Sequence, residues 1–272
     1  MGETYLSEEQ TIILDILKYV KSVCDKNEIK YYLAYGTLIG AVRHQGFIPW
    51  DDDIDIFMPR DDYYKFIEAV SRDNHPYYKI VSRDTHKDFT APLPKVIDTR
   101  TKLVQDYGFI EKVELGLYID IFIIDGAGNS YDKALDTYRQ SYKLYKNWIY
   151  SDTKMFVPRS NKLISLYRWL KHIPEKSKGI YYWLDKLDEY DSKLSSYSSE
   201  YIGALTAGTP EAERNVWHCS YLGEGILVTF ENCQFRAPNQ YDKLLRLEYG
   251  DYMQLPSADK QKSHHYYIWK WK

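Results

Sequence analysis

Apolar residues recur at helical spacing through residues 7–27, where Ile13, Ile16, Leu17, Val20 and Cys24 share one face. Ser7 and Gln10 make a capping-box pair at its start. The pattern then shortens. Tyr31 to Ala34 predicts a short strand, Gly36-Thr37 a tight turn, and Leu38 to Arg43 a return to helix. Beyond the loop HQGFIPW, residues 53–58 (DIDIFM) alternate charged and apolar side chains at period two, which predicts a strand. Pro59 ends it, and RDDYYKFIEAV predicts a helix whose first turn holds Asp61 and Asp62. Two further strand segments follow, YKIVS (78–82) and PKVIDTRTKLV (94–104), the second a hairpin or a bent pair. GLYIDIFIIDG (116–126) is the most apolar stretch and predicts a central strand, with Asp120 in its middle and Asp125 at its end.

From about residue 131 the texture changes. Residues 131–200 read as helices rich in Tyr, Trp and Lys, and between 139 and 188 eleven Lys/Arg stand against four Asp/Glu. ILVTFENCQFRAP (226–238) predicts a hairpin around Glu231-Asn232, NQYDKLLRLEYG (239–250) a capped helix ended by Gly250, and the tail a loop. The expected fold is mixed α/β (α+β). A core over 1–130 is followed by a mostly helical part over 131–225, and a C-terminal segment, 226–272, returns to the core.

Composition narrows the function little. At 272 residues the chain suits one large domain or two small ones, and a net charge of −3 gives no global argument for nucleic acid. Aromatic residues reach 16%, 28 of them Tyr, which suits a sugar- or membrane-facing surface. Cys24, Cys219 and Cys233 are scattered and odd in number, so neither a disulfide framework nor a zinc site is expected, and a reducing cytoplasm is. The opening MGETYLSEEQ is polar and acidic, unlike a secretory leader, and has Leu6 where a myristoylation site needs Ser or Thr. No apolar run approaches the ~18–20 residues that span a bilayer.

The chemistry lies in the acidic run. Asp51, Asp52, Asp53 and Asp55 lead straight into Ile54, Ile56, Phe57 and Met58. Carboxylates gathered at the start of a buried strand repel one another and resist desolvation unless positive charge joins them. Asp53 and Asp55 are two apart and share a face, Asp51 has the same parity, and Asp52 points the other way. With Asp120 from a later strand, three carboxylates are expected to converge. Hard oxygen donors in that number favour Mg²⁺ or Mn²⁺. The Gly36-Thr37 turn is expected to cradle a phosphate. Metal and phosphate together imply phosphoryl or nucleotidyl transfer.

This arrangement resembles the nucleotidyltransferase superfamily typified by DNA polymerase beta. The surrounding blocks, YGTLIGAVRHQGFIPWDDDIDIFMPRDDY, GLYIDIFIIDG and YDKLLRLEYGDYMQLP with the following His264-His265, resemble the LicD family, in that family's order and across nearly the whole chain. The resemblance implies transfer of phosphocholine from CDP-choline, or of a similar phospho-alcohol from another CDP-alcohol, to a sugar hydroxyl of teichoic acid, lipopolysaccharide or capsule, with release of CMP. It also implies distant kinship with fukutin-related proteins, which use CDP-ribitol. No family motif falls in 131–225, so the acceptor stays unassigned.

Under that reading Asp53 and Asp55 bind metal with Asp51 as helper, and Asp120 either completes the site or takes the acceptor proton. Gly36, Thr37, Arg43 and Lys95 meet phosphates, with Gly40 packed under the turn. His44 is an acid or a loop histidine, Asp125 a substrate contact or a turn residue, and His264-His265 a pair that closes over the site or an exposed, structural pair. LISLYRWLKHI (163–173) has an apolar face beside Arg168 and Lys171, which suits peripheral contact with the inner face of the cytoplasmic membrane, where a lipid-linked glycan acceptor would lie. Two rival readings stand beside this one. One is a true nucleotidyltransferase that releases pyrophosphate. The other is a non-catalytic nucleotide- or glycan-binding module.

Overall fold

A computed structural model describes residues 6–104, 113–152, 162–262 and 268–272. Helix α1 (Glu8–Lys26) begins as the sequence predicts: Ser7 and Gln10 cap each other reciprocally, and Ile13, Ile16, Leu17, Val20 and Cys24 are all buried. Full burial of such side chains contributes about 1.5–3 kcal/mol each. The face packs on a seven-stranded mixed sheet with the path β1 (Tyr32–Leu33), β2 (Asp55–Pro59), β6 (Tyr118–Gly128), β4 (Lys95–Asp98), β3 (Tyr78–Val81). The pair β2–β6 is parallel and the other pairs on this path are antiparallel. Ile56, Phe57, Met58, Ile119 and Ile121 are wholly buried in the main core.

Several elements differ from expectation. Helix α2 (Tyr35–Ile39) starts before Gly36-Thr37, so these residues lie in a helical first turn rather than in a turn ahead of it. A π-helical turn (Gly40–His44) continues it, with Gly40 against the Gly46 carbonyl at a separation that leaves no room for a Cβ. Strand β2 starts at Asp55, so Asp53 precedes it. The 94–104 segment is not a hairpin: β4 joins the sheet, whereas β5 (Thr101–Leu103) pairs with β11 (Trp269–Trp271). The tail therefore contains a strand that returns to the core.

Helix α3 (Arg60–Asp73) has Asp61 and Asp62 in its first turn, as predicted. The helical part comprises α4 (Tyr131–Asp152), α5 (Lys162–Lys171), α6 (Ile173–Lys178) and α7 (Ile180–Asp191). The chain then rejoins the sheet through β7 (Tyr201–Gly203) and β8 (Val216–His218), which flank α8 (Ala212–Asn215); β7 pairs with the far end of β6. The β9–β10 hairpin (Ile226–Phe230, Cys233–Ala237) turns at Glu231, and α9 (Tyr241–Tyr249) ends at Gly250, both as predicted. The cap of α9 is not: Gln240 occupies that position without a capping bond, and its side-chain amide donates to Ser220 instead. Among the described residues no helix is long and apolar enough to cross a membrane.

Candidate functional site

The sheet puts three charged side chains in one row. Parallel pairing sets Asp55 of β2 opposite Asp120 of β6, and antiparallel pairing sets Asp120 opposite Lys95 of β4. Lys95 donates to the Asp120 carboxylate and lies 3.8 Å from the centre of the Tyr118 ring. Burial alone would lower the Lys95 pKa, but Asp120 outweighs it and the ammonium is held charged. The Asp55 carboxyl is driven well above the carboxylate range by burial, then by Asp53, Asp120 and Asp51, and Lys95 opposes this shift.

Asp51, Asp53 and Asp55 line a cavity of about 1110 Å³ together with Gly36, Arg43, Trp50 and residues 248–262 of the C-terminal segment. Asp52 and Asp120 are not among the lining residues, and one Asp52 oxygen is buried. Gly36 is in contact with Asp51: a Cβ there would stand 2.7 Å from its carboxylate oxygen. That approach explains a glycine in the first turn of a helix. Thr37 is buried, and its hydroxyl accepts from the Asp55 backbone N–H at 2.9 Å. It ties α2 to the start of β2 rather than lining the cavity.

Arg43 faces the cavity and fastens the C-terminal segment, donating to the carbonyl of Tyr252 at 2.5 Å. Its Nε donates to His44 Nε2 at 2.9 Å. Burial and then the Arg43 charge hold the His44 pKa below its ordinary value, so His44 is a neutral acceptor outside the cavity lining. Asp125 is elsewhere: it binds Arg60 through both oxygens (2.5 and 2.8 Å), and Arg60 also reaches Asp188 at 2.7 Å, which joins β6, α3 and α7. His264 and His265 lie outside the described residues.

The expected convergence of three carboxylates is not preformed. Among the described residues no group of three acidic, histidine or cysteine side chains is arranged to hold a metal ion as it stands. The Lys95 ammonium holds Asp120, and the aspartates around Asp55 repel one another. The donor set nonetheless suits a hard divalent cation. It consists of carboxylate oxygens, it opens onto a cavity, and it is short of positive charge.

Sequence reasoning missed Glu248, Tyr249, Tyr252 and the stretch 254–262 as cavity walls, although it singled out the block that contains them. No local signal in an amphipathic helix marks its last turn as a wall.

Comparison with known proteins agrees with this geometry. The family described as LicD/FKTN/FKRP, nucleotidyltransferase domain, matches residues 28–156, which include β1, β2, β4 and β6. The chain is 32% identical over 268 residues to the lipopolysaccharide cholinephosphotransferase LicD of Haemophilus influenzae, and the match covers 97% of each chain. A shorter stretch of 65 residues, 21% of this chain and 13% of the relative, is 35% identical to the human ribitol 5-phosphate transferase FKRP. The end-to-end match reaches both the aspartate strand and the C-terminal segment that closes the cavity, and the chain belongs to the LicD family.

Proposed function

We propose that this protein transfers phosphocholine, or a similar phospho-alcohol, from a CDP-linked donor to a sugar hydroxyl of a cell-envelope glycan. The supporting observation is a cavity walled by Asp51, Asp53, Asp55 and Gly36, in a chain similar throughout its length to a cholinephosphotransferase. The acceptor oxygen attacks the phosphorus that carries the alcohol, the bond to the second phosphate breaks, and CMP leaves. The hydroxyl proton passes to a base, and the product is a phosphodiester.

Asp53 and Asp55, with Asp51 and Asp120 beside them, would hold Mg²⁺ or Mn²⁺, which when bound neutralises pyrophosphate charge and orients the reacting oxygens. Asp120 carries the Lys95 ammonium, so it is given to charge balance rather than to the acceptor proton. Gly36 gives the Asp51 carboxylate its place at the cavity wall, and Arg43 supplies a guanidinium there that would meet the donor phosphates. Arg43 also fixes residues 252–254, so the clamp and the wall move together.

The acceptor would be a lipid-linked or polymeric glycan, such as teichoic acid, lipopolysaccharide or capsule, met from the cytoplasmic side. Helix α5 favours peripheral contact with the inner membrane face. Leu163, Ile164, Tyr167 and Leu170 are at least half exposed, whereas Ser165 is buried. An amphipathic helix that turns its apolar residues outward beside Lys171, Lys176 and Lys178 suits an anionic interface. Absence of flotation with anionic vesicles at low salt would rule this contact out.

The donor is tested by thermal shift with CDP-choline, CDP-glycerol and CDP-ribitol, each with Mg²⁺. The expected result is a selective upward shift with CDP-choline. A shift with none of the three, or an equal one with CTP, would contradict the reading.

A further inference from the structure

The cavity has a second corner next to the aspartates. Its walls are Tyr35 at the start of α2, Phe122 on β6, Asn215 at the end of α8, and Glu248 and Tyr249 in the last turn of α9. The Tyr35 and Phe122 rings meet edge to face, 4.8 Å apart at 71°. Tyr249 is 44% exposed as a whole residue, and it lines the same cavity as Glu248, Asp51, Asp53 and Asp55. Burial pushes its hydroxyl well up, and the charges of Glu248, Asp55, Asp51 and Asp53 add to this.

Three oxygens in this corner lack a match. Among the described residues the buried Tyr35 hydroxyl has no hydrogen-bond partner, and neither has the buried Asn215 side-chain oxygen. The orientation of the Asn215 amide is fixed, because its nitrogen donates to the Glu211 carbonyl at 3.0 Å and to the Thr209 hydroxyl at 2.7 Å. Glu248 is half-buried, and among the described residues none bonds to it. Burial raises its pKa, Arg214 opposes this, and Glu211 adds to it. Tyr35 is also held at φ 42°, a left-handed conformation that bulky residues avoid and that persists where surroundings impose it. The corner thus combines aromatic rings, two orphan polar oxygens and a half-buried carboxylate with Arg214 as its nearby cation.

We infer that Glu248, Tyr249 and Tyr35 form the subsite for a cationic headgroup, a quaternary ammonium, on the phospho-alcohol that is transferred. The inference rests on the phospho-alcohol reading above. A quaternary ammonium has no N–H to donate, so aromatic faces and a nearby negative charge recognise it. It is joined to its phosphate by two carbons, so its subsite must adjoin the phosphate site, and Tyr35, Glu248 and Tyr249 line the same cavity as the aspartates. A polyol carries no charge for Glu248 to oppose and would instead donate to the Tyr35 and Asn215 oxygens, and a comparison of donors separates the two.

The test compares kcat/KM for CDP-choline and CDP-glycerol in the wild type, Glu248→Gln, Tyr249→Leu and Tyr249→Phe. The choline-to-glycerol ratio is expected to fall about tenfold in Glu248→Gln and Tyr249→Leu, mainly through KM, and to survive in Tyr249→Phe, which keeps the ring. Turnover of the glycerol donor separates a folded variant with altered preference from a misfolded one. An unchanged ratio in both Glu248→Gln and Tyr249→Leu would overturn the assignment, as would a wild type that prefers the glycerol donor. A wild type that turns over neither of these nor CDP-ribitol would overturn the phospho-alcohol reading itself, and this subsite with it.

Discussion

Replacing Lys95 by Met tests the charged row across the sheet. The substitution keeps most of the side-chain stem, so a packing cavity is not the main effect. It removes the ammonium from between Asp120 and the Tyr118 ring. The paired side chains are only 11% and 18% exposed. Breaking a buried ion pair by deleting one partner costs ~3–5 kcal/mol, and partial exposure puts this pair near the lower end. At about 3 kcal/mol, a chain of this size should melt about 6–12 °C lower. Removing both charges in Lys95→Met/Asp120→Leu should recover most of that loss, because neither charge is then left alone. Activity should be lost in both variants. Thermal melts followed by circular dichroism, with turnover measured alongside, read out the cycle. A single variant melting within about 2 °C of the wild type would refute the reasoning. So would a double variant less stable than the single one.

Three other outcomes follow from the geometry. Gly36→Ala drives a methyl group into Asp51; it should leave the melting temperature nearly unchanged and lower kcat/KM about 100-fold, the cost of a ligand misplaced by about 1 Å, and wild-type activity would disprove the close approach. Asp125→Asn should cost about 2–4 kcal/mol, because Arg60 loses a bidentate partner in a buried setting; KM for the donor should not move, and a raised KM at unchanged stability would restore Asp125 to the substrate. For His44 the sign is set by its lowered pKa: the unfolded chain takes up the proton first, so stability present above about pH 6.5 is lost as pH falls below it. Protonation also removes the acceptor that Arg43 uses. The melting temperature of His44→Asn should therefore fall less between pH 7 and pH 5 than that of the wild type, and parallel profiles would contradict this.

Local signals carried much of the architecture. The capping box at Ser7, the parity of Asp51, Asp53 and Asp55, and the apolar run of β6 each depend on neighbours within a few positions, so periodicity exposes them. What stayed hidden depends on distance in sequence. Asp125 meets Arg60 across 65 positions, and Lys95 meets Asp120 across 25. Both pairs exist only once the sheet has formed. Strands β7 and β8 are three residues each, too short for alternation to register. Gly36 read as a turn because glycine usually interrupts a helix, whereas here it makes room for Asp51. Glu248 and Tyr249 look like the exposed end of an ordinary amphipathic helix, and only the tertiary packing of α9 brings them to the wall of the aspartate cavity.

The most direct test of the central claim is product identity. The purified protein is incubated with CDP-choline, Mg²⁺ and a glycan acceptor, and the soluble products are separated beside a parallel Asp55→Asn reaction. The account predicts equimolar CMP and phosphocholine-modified glycan from the wild type, and neither from Asp55→Asn. Free phosphocholine with CMP left on the acceptor, or equal CMP from the Asp55→Asn protein, would contradict it.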